Sequence, residues 1–306
     1  MSNSDNSENI GWPVKTGELY HSFFDSTLWN DFEFRGDDII VATYAKSGTT
    51  WLQQILSQLI FNGATDQDVA AMSPWVDLRL PPKDVKFAAL REQSHRRFIK
   101  THLPVDALVY SPDAKYIYIA RDGRDVVWSY YNHHANFNDL FYKEINSVAP
   151  PGIERAEPPL HGVHEYFRHW LDNDGYPLWS YWNNISTWWK IRHLPNLKVL
   201  HFAALKADMP GQIREIADFL EITIDESKWD AILEHCSFNY MKKNAEKSVP
   251  LGGAFWEGGA KTFIHKGTNG RWRDVLTEQD NARYEALALE KLGVNCSRWL
   301  ASGEMP

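Results

Sequence analysis

A lysine, a glycine and three hydroxyls fall within the five residues Lys46-Ser47-Gly48-Thr49-Thr50, directly before a helical pattern. Residues of these types at a helix start can hold an anion. The free backbone N–H groups there, with the positive end of the helix dipole, attract negative charge. Gly48 lets the backbone come close to a ligand, Lys46 adds a full charge, and the hydroxyls of Ser47, Thr49 and Thr50 donate hydrogen bonds. Plain helix capping accounts for one hydroxyl but not for the whole set. Nor is this a Walker A loop, in which the lysine follows the second glycine. Here it precedes the glycine by two positions. Asp122 could be read as the magnesium-binding acid of an NTPase, but Arg121 and Arg124 flank it. Cations beside a would-be magnesium site disfavour the metal.

The elements that must position these groups follow from apolar patterning. Residues 38–44 form a short apolar run of strand length. From Thr49 to Phe61, Trp51, Leu52, Ile55, Leu56, Leu59 and Ile60 recur at the spacing of one buried helix face. Further strands are expected at 97–102, stopped by Pro104, at 115–120 and at 198–202. Helices are expected from about Arg124 to His134 and from Gly211 to Leu220. Strands alternating with helices of this length predict an α/β fold, a single domain with a central parallel sheet flanked by helices. Residues 138–162 and the glycine-rich stretch 252–270 lack periodicity and read as long loops, of the kind that serve as lids or binding loops. Residues 1–10 read as a disordered tail, leaving 11–306 as the domain.

The segment Tyr44-Ala45-Lys46-Ser47-Gly48-Thr49-Thr50-Trp51 closely resembles the 5'-phosphosulfate loop, YPKSGTTW, of the cytosolic-type sulfotransferases that use 3'-phosphoadenosine 5'-phosphosulfate (PAPS). Ala45 replaces the usual proline. Two further patches match in order. Around Ala120-Arg121-Asp122-Gly123-Arg124, Arg121 and Ser129 match in type and eight-residue spacing the arginine and serine that hold the 3'-phosphate in that family. The segment His265-Lys266-Gly267-Thr268-Asn269-Gly270-Arg271-Trp272 resembles the C-terminal RKGxxGxW loop, with His265 where arginine is usual. A neutral imidazole gives a phosphate less than a bidentate guanidinium does.

Phe98 to Pro104 resembles the strand reading KTHLP, whose histidine is the catalytic base. Imidazole titrates near working pH, so His102 suits removal of a proton from an acceptor hydroxyl during in-line attack on sulfur. Lys46 and Lys100 suit the charge that grows on the leaving phosphate and the sulfo oxygens. Strand alternation sends Lys100 and His102 to one face. The resemblance implies a P-loop-NTPase-like fold with a phosphosulfate-binding loop, PAPS as co-substrate and no metal. It places Trp51 against adenine, although Trp51 also fits its helix's core-facing stripe. Phe238 falls in a segment matching SFxxMKKN, which contacts the nucleotide. Phe202-Ala203-Ala204 replaces the usual YED, so Phe202 can stack on adenine but cannot hydrogen-bond to it. The KxxxTVxxxE dimer motif is poorly kept over Arg273 to Ala282, and that form of dimer is not expected.

The implied acceptor is a small molecule with a hydroxyl or amine. It would sit beside His102, walled by Trp75, Leu78 and the segment after Tyr131, with 138–162 as lid. His133 is a candidate acceptor contact, polar where an apolar one is expected, although adjacent histidines such as His133 and His134 are more often surface helix residues than ligands. With 14 Trp, 13 Tyr and 15 Phe, the chain has aromatic rings enough for an apolar pocket, or simply for an aromatic core. The acceptor class expected is aromatic or lipophilic. A net charge of −8 disfavours nucleic acid and anionic membranes as partners. Two cysteines without CxxC spacing, no signal-peptide pattern and no long apolar run predict a cytoplasmic protein. Two rival classes remain: a P-loop NTPase, and a nucleotide-binding protein without catalysis.

Overall fold

The computed structural model describes residues 11–159 and 162–306, so the tail expected at 1–10 lies outside the described residues. Four strands form the sheet: β1 (Ile39–Thr43), β2 (Phe98–Thr101), β3 (Lys115–Ala120) and β4 (Leu197–His201). All pairs are parallel, in the order β2-β1-β3-β4, with Ile40 opposite both Ile99 and Tyr116. Every residue of β1 is buried, as a strand covered on both faces requires.

The period of two divides the core. Ile40, Ala42, Ile99, Tyr116 and Tyr118 face one apolar cluster, with Trp170, Tyr181, Trp188 and Trp299 packed on it. Ile39, Val41, Phe98, Ile117 and Ile119 face the other, against Leu52, Ile55, Ile213 and Ile216. Part of the aromatic surplus is therefore core: Trp29, Trp170, Trp188 and Trp299 are fully buried.

Most expected elements are present within one or two residues. The helices run Thr49–Ile60, Gly123–His134 and Met209–Phe219. Three expectations are corrected. Phe202 does not end the last strand but opens the helix Phe202–Ala207, because the His201 side chain accepts the N–H of Ala203 and caps it. The stretch 138–162 contains the helix Asp139–Ser147, capped by Asn138, whose side chain accepts from Phe141 N. The stretch 252–270 carries a 3-10 turn at Pro250–Gly253 and a short helix at Ala260–Phe263. Trp256 and Ala260 pack there in a small apolar cluster.

One buried ion pair ties the strand starts together. Arg97 Nε and Nη2, just before β2, donate to the Asp38 carboxylate at 2.7 and 2.5 Å, just before β1. No helix among the described residues is long and apolar enough to cross a membrane. Both cysteines are buried and free.

Candidate active site

The sheet order reverses at β1: the chain crosses to one side to form β2, then to the other to form β3. In open α/β sheets the crevice at the carboxyl ends of strands flanking such a reversal is where ligands bind. Here the loop after β1, the residue after β2 and the start of the helix after β3 meet around a cavity of about 1200 Å³.

The loop after β1 has an unusual backbone. Lys46 is at φ +66° and Gly48 at φ +116°. A Cβ on Gly48 would stand 2.9 Å from Cδ2 of Phe202, so this position needs glycine for both conformation and space. Thr49 Oγ1 lies 2.8 Å from Thr43 Oγ1. Tyr44 is a strut, donating to the Trp179 carbonyl at 3.0 Å. The Ser47 hydroxyl is buried with no hydrogen-bond partner. A buried polar atom left unpaired costs stability unless a ligand takes it up, and an anion at this helix start would do so.

Behind the loop, His102 is 4% exposed and fixed on several sides. Its Nδ1 lies 2.9 Å from the Thr43 carbonyl oxygen and 2.9 Å from Thr43 Oγ1. A carbonyl oxygen only accepts, so Nδ1 carries the hydrogen and Nε2 keeps the lone pair. The His102 backbone N–H donates to Asp77 Oδ2 at 3.2 Å, and the His102 carbonyl accepts from Asn184 at 3.0 Å. Burial first, then the positive charge of Lys100, holds the imidazole well below its ordinary pKa. It is therefore neutral at working pH. Trp75 packs edge-on to the ring at 4.7 Å between centroids, and Lys100 Nζ lies 4.8 Å over Trp75.

Three cations converge here in an acidic chain. Burial first, then Lys100 and Arg121, lowers Lys46 to about 7; burial lowers Lys100 to about 8. Lys46 Nζ donates to His133 Nδ1 at 3.0 Å and lies 4.4 Å over the Phe263 ring. Arg121 is buried. It donates to Asn269 Oδ1 at 2.8 Å, to the Thr268 carbonyl at 3.0 Å and to the Lys46 carbonyl at 3.3 Å. It thereby clasps the phosphate-type loop to the C-terminal loop, with its guanidinium 4.3 Å over Phe202. Asp122 faces Arg124 at 2.7 Å and caps the helix at the Arg124 N–H. No group of three His, Cys, Asp or Glu among the described residues could hold a metal ion.

Every site residue expected from the sequence lines this one cavity except Ser47, which sits just behind it. Trp51 serves two ends: its Nε1 donates to the Cys236 carbonyl at 2.8 Å, its ring meets Phe202 at 5.5 Å, and its free face lines the cavity. Phe238 is 39% exposed and abuts Gly267, where a Cβ would come within 2.6 Å of its ring. Ser129 and His265 line the same end. The histidine pair does not lie on the surface. His133 is boxed by Phe137, Trp256 and Phe263, and His134 is bound to Tyr166 OH and the Glu157 carbonyl.

Some groups around the site carried no signal in the sequence. Asp77 receives the indoles of Trp29 and Trp75 as well as the His102 N–H, and Lys86 Nζ is buried against the carbonyls of Val76 and Leu78. Neither sits in a recognisable motif; only the fold brings them under His102 and the Trp75 wall.

The sulfotransferase-domain model matches residues 36–295 of the chain. The chain belongs to the PAPS-dependent sulfotransferase family. This sulfotransferase is 30% identical over 300 residues to a glycolipid sulfotransferase of Mycobacterium bovis, covering 90% of this chain and 91% of that one. It is 31% identical over 273 residues to mouse sulfotransferase 1B1, covering 86% and 85%. Its fold matches the crystal structure of mouse sulfotransferase SULT7A1 complexed with PAP at a TM-score of 0.68 and 24% identity, covering 90% of this chain and 91% of that one. A second match is retinol dehydratase in complex with androsterone and PAP, at 0.66 and 22%, covering 87% and 83%.

Proposed function

We propose that this sulfotransferase moves the sulfo group from PAPS to a hydroxyl or amine of a small aromatic or lipophilic acceptor, with His102 as general base. The observation that carries the mechanism is the Nδ1 contact of His102 with the Thr43 carbonyl, which commits Nε2 to the basic role beside Lys46 and Lys100. His102 takes the acceptor proton as the acceptor oxygen or nitrogen bonds to sulfur. The bond from sulfur to the phosphate oxygen breaks in line, leaving 3'-phosphoadenosine 5'-phosphate (PAP). Lys46, the helix-start N–H groups and the orphan Ser47 hydroxyl suit the 5'-phosphosulfate, and Lys100 suits the transferring sulfo oxygens. Arg121, Ser129 and Lys266 suit the 3'-phosphate; Trp51, Phe202 and Phe238 suit the adenine, by stacking.

The acceptor end supports an apolar substrate. Phe23, Trp75, Leu78, Phe141, Leu178 and Trp256 line it. The name of the mycobacterial relative, a glycolipid sulfotransferase, points the same way. PAPS consumption across a panel of phenols, long-chain alcohols, sterols and amines would identify the acceptor class. His102→Ala should lose about 10²- to 10⁴-fold in kcat, the usual worth of a general base. Full activity in that variant would overturn the mechanism.

A further inference from the structure

One cation at the nucleotide end has no role in the mechanism above. Arg271 opens the 3-10 turn Arg271–Asp274 and lines the cavity. Its backbone is pinned on both sides. Gly270, at φ +79°, donates its N–H to Asp125 at 2.8 Å, and Trp272 is buried 4.0 Å from the guanidinium of Arg124. The Arg271 guanidinium lies 5.1 Å from the ring centroid of Trp128, the residue preceding Ser129, and one of its nitrogens donates to His265 Nδ1 at 3.2 Å. No carboxylate among the described residues pairs with it.

Two of the neighbouring cations, Arg121 and Lys242, already spend donors within the protein, whereas Lys266 lines the cavity as a point charge. Arg121 spends Nε, Nη1 and Nη2 on Asn269, Thr268 and Lys46. Lys242 donates to the His265 carbonyl at 2.8 Å. His265 is held below its ordinary pKa by burial first, then by Arg271, Lys266 and Lys242. It brings no charge, and its Nδ1 is occupied as an acceptor. Arg271 keeps a planar fork of unspent donors.

We propose that Arg271 supplies a guanidinium to the cofactor's 3'-phosphate, beside Ser129, and that His265 orients Arg271 instead of touching the phosphate. This rests on PAPS being the donor. The cationic contact that the family resemblance puts at position 265 is thus supplied from position 271, on the same loop.

The test compares PAP with adenosine 5'-phosphate, which lacks only the 3'-phosphate, by calorimetric Kd on the whole protein. Arg271→Ala should weaken PAP by about 10- to 100-fold, the worth of charge-assisted hydrogen bonds, and leave adenosine 5'-phosphate unchanged. Arg271→Lys should fall between, since a point charge cannot make the bidentate contact. His265→Ala should weaken PAP less than Arg271→Ala does. Equal loss of both ligands in Arg271→Ala, or no loss of either, would overturn the assignment. Wild-type protein that does not prefer PAP over adenosine 5'-phosphate would instead sink PAPS as donor, and this inference with it.

Discussion

At His102 the tautomer is set by a strand neighbour. The Thr43 carbonyl belongs to β1 and the histidine follows β2, and these two strands are paired, so sheet register holds the imidazole in one orientation. The lysines are tuned by burial instead. With no anion bound, Lys46 is lowered to about 7 and Lys100 to about 8. An anionic ligand favours the protonated form, so the bound-state values lie higher. Above the free-state values, binding must take up protons, and affinity falls as pH rises. The Kd of PAPS should therefore rise as pH climbs through 7 and 8, with proton uptake seen by calorimetry in buffers of different ionisation enthalpy. Lys46→Arg, which cannot deprotonate, should lose the lower step. An affinity flat over that range would mean the lysines do not meet the anion.

Among the elements, the helices that follow β1 and β3 were legible, and the cavity's cover was not. Thr49–Ile60 has one apolar stripe against one core, and the sequence shows it as such. Asp139–Ser147 turns Phe141, Glu144 and Ile145 to the cavity and leaves Leu140 exposed, and at nine residues its stripe is only two turns long. Its start is set by the Asn138 cap, a single hydrogen bond without a periodic trace. The Asp38–Arg97 pair is likewise silent in sequence, because its partners are 59 residues apart. Both side chains are almost fully buried, and removing one partner would strand the other charge inside. Asp38→Asn should cost about 3–5 kcal/mol in denaturant unfolding. A loss near zero would show that water reaches the pair.

For the whole molecule, the reversal of strand order at β1 is what makes one cavity out of residues from four parts of the chain. Lys46, His102, Ser129 and Lys266 are separated by long stretches of sequence and share the carboxyl edge of the sheet. A ligand filling so large a cavity should couple to global stability. PAP at about 100 times its Kd should stabilise the fold by about 2.7 kcal/mol, read as a rise in Tm. The rise should be the same with a chelator as with magnesium. A shift that needs magnesium would favour nucleotide chemistry of the NTPase kind.

The sequence by itself determined the parallel α/β sheet, the Lys46–Thr50 turn that opens a helix, and the positions of the lysines and histidine that converge there. Those features are written locally, in strand-length apolar runs, helical stripes and residues a few positions apart. Only the tertiary structure decided which groups support them. The tautomer of His102, the burial that lowers Lys46 and Lys100, the Asp77 hub and the guanidinium of Arg271 depend on contacts between distant segments. The environment of a side chain, unlike its type, is a property of the packed molecule.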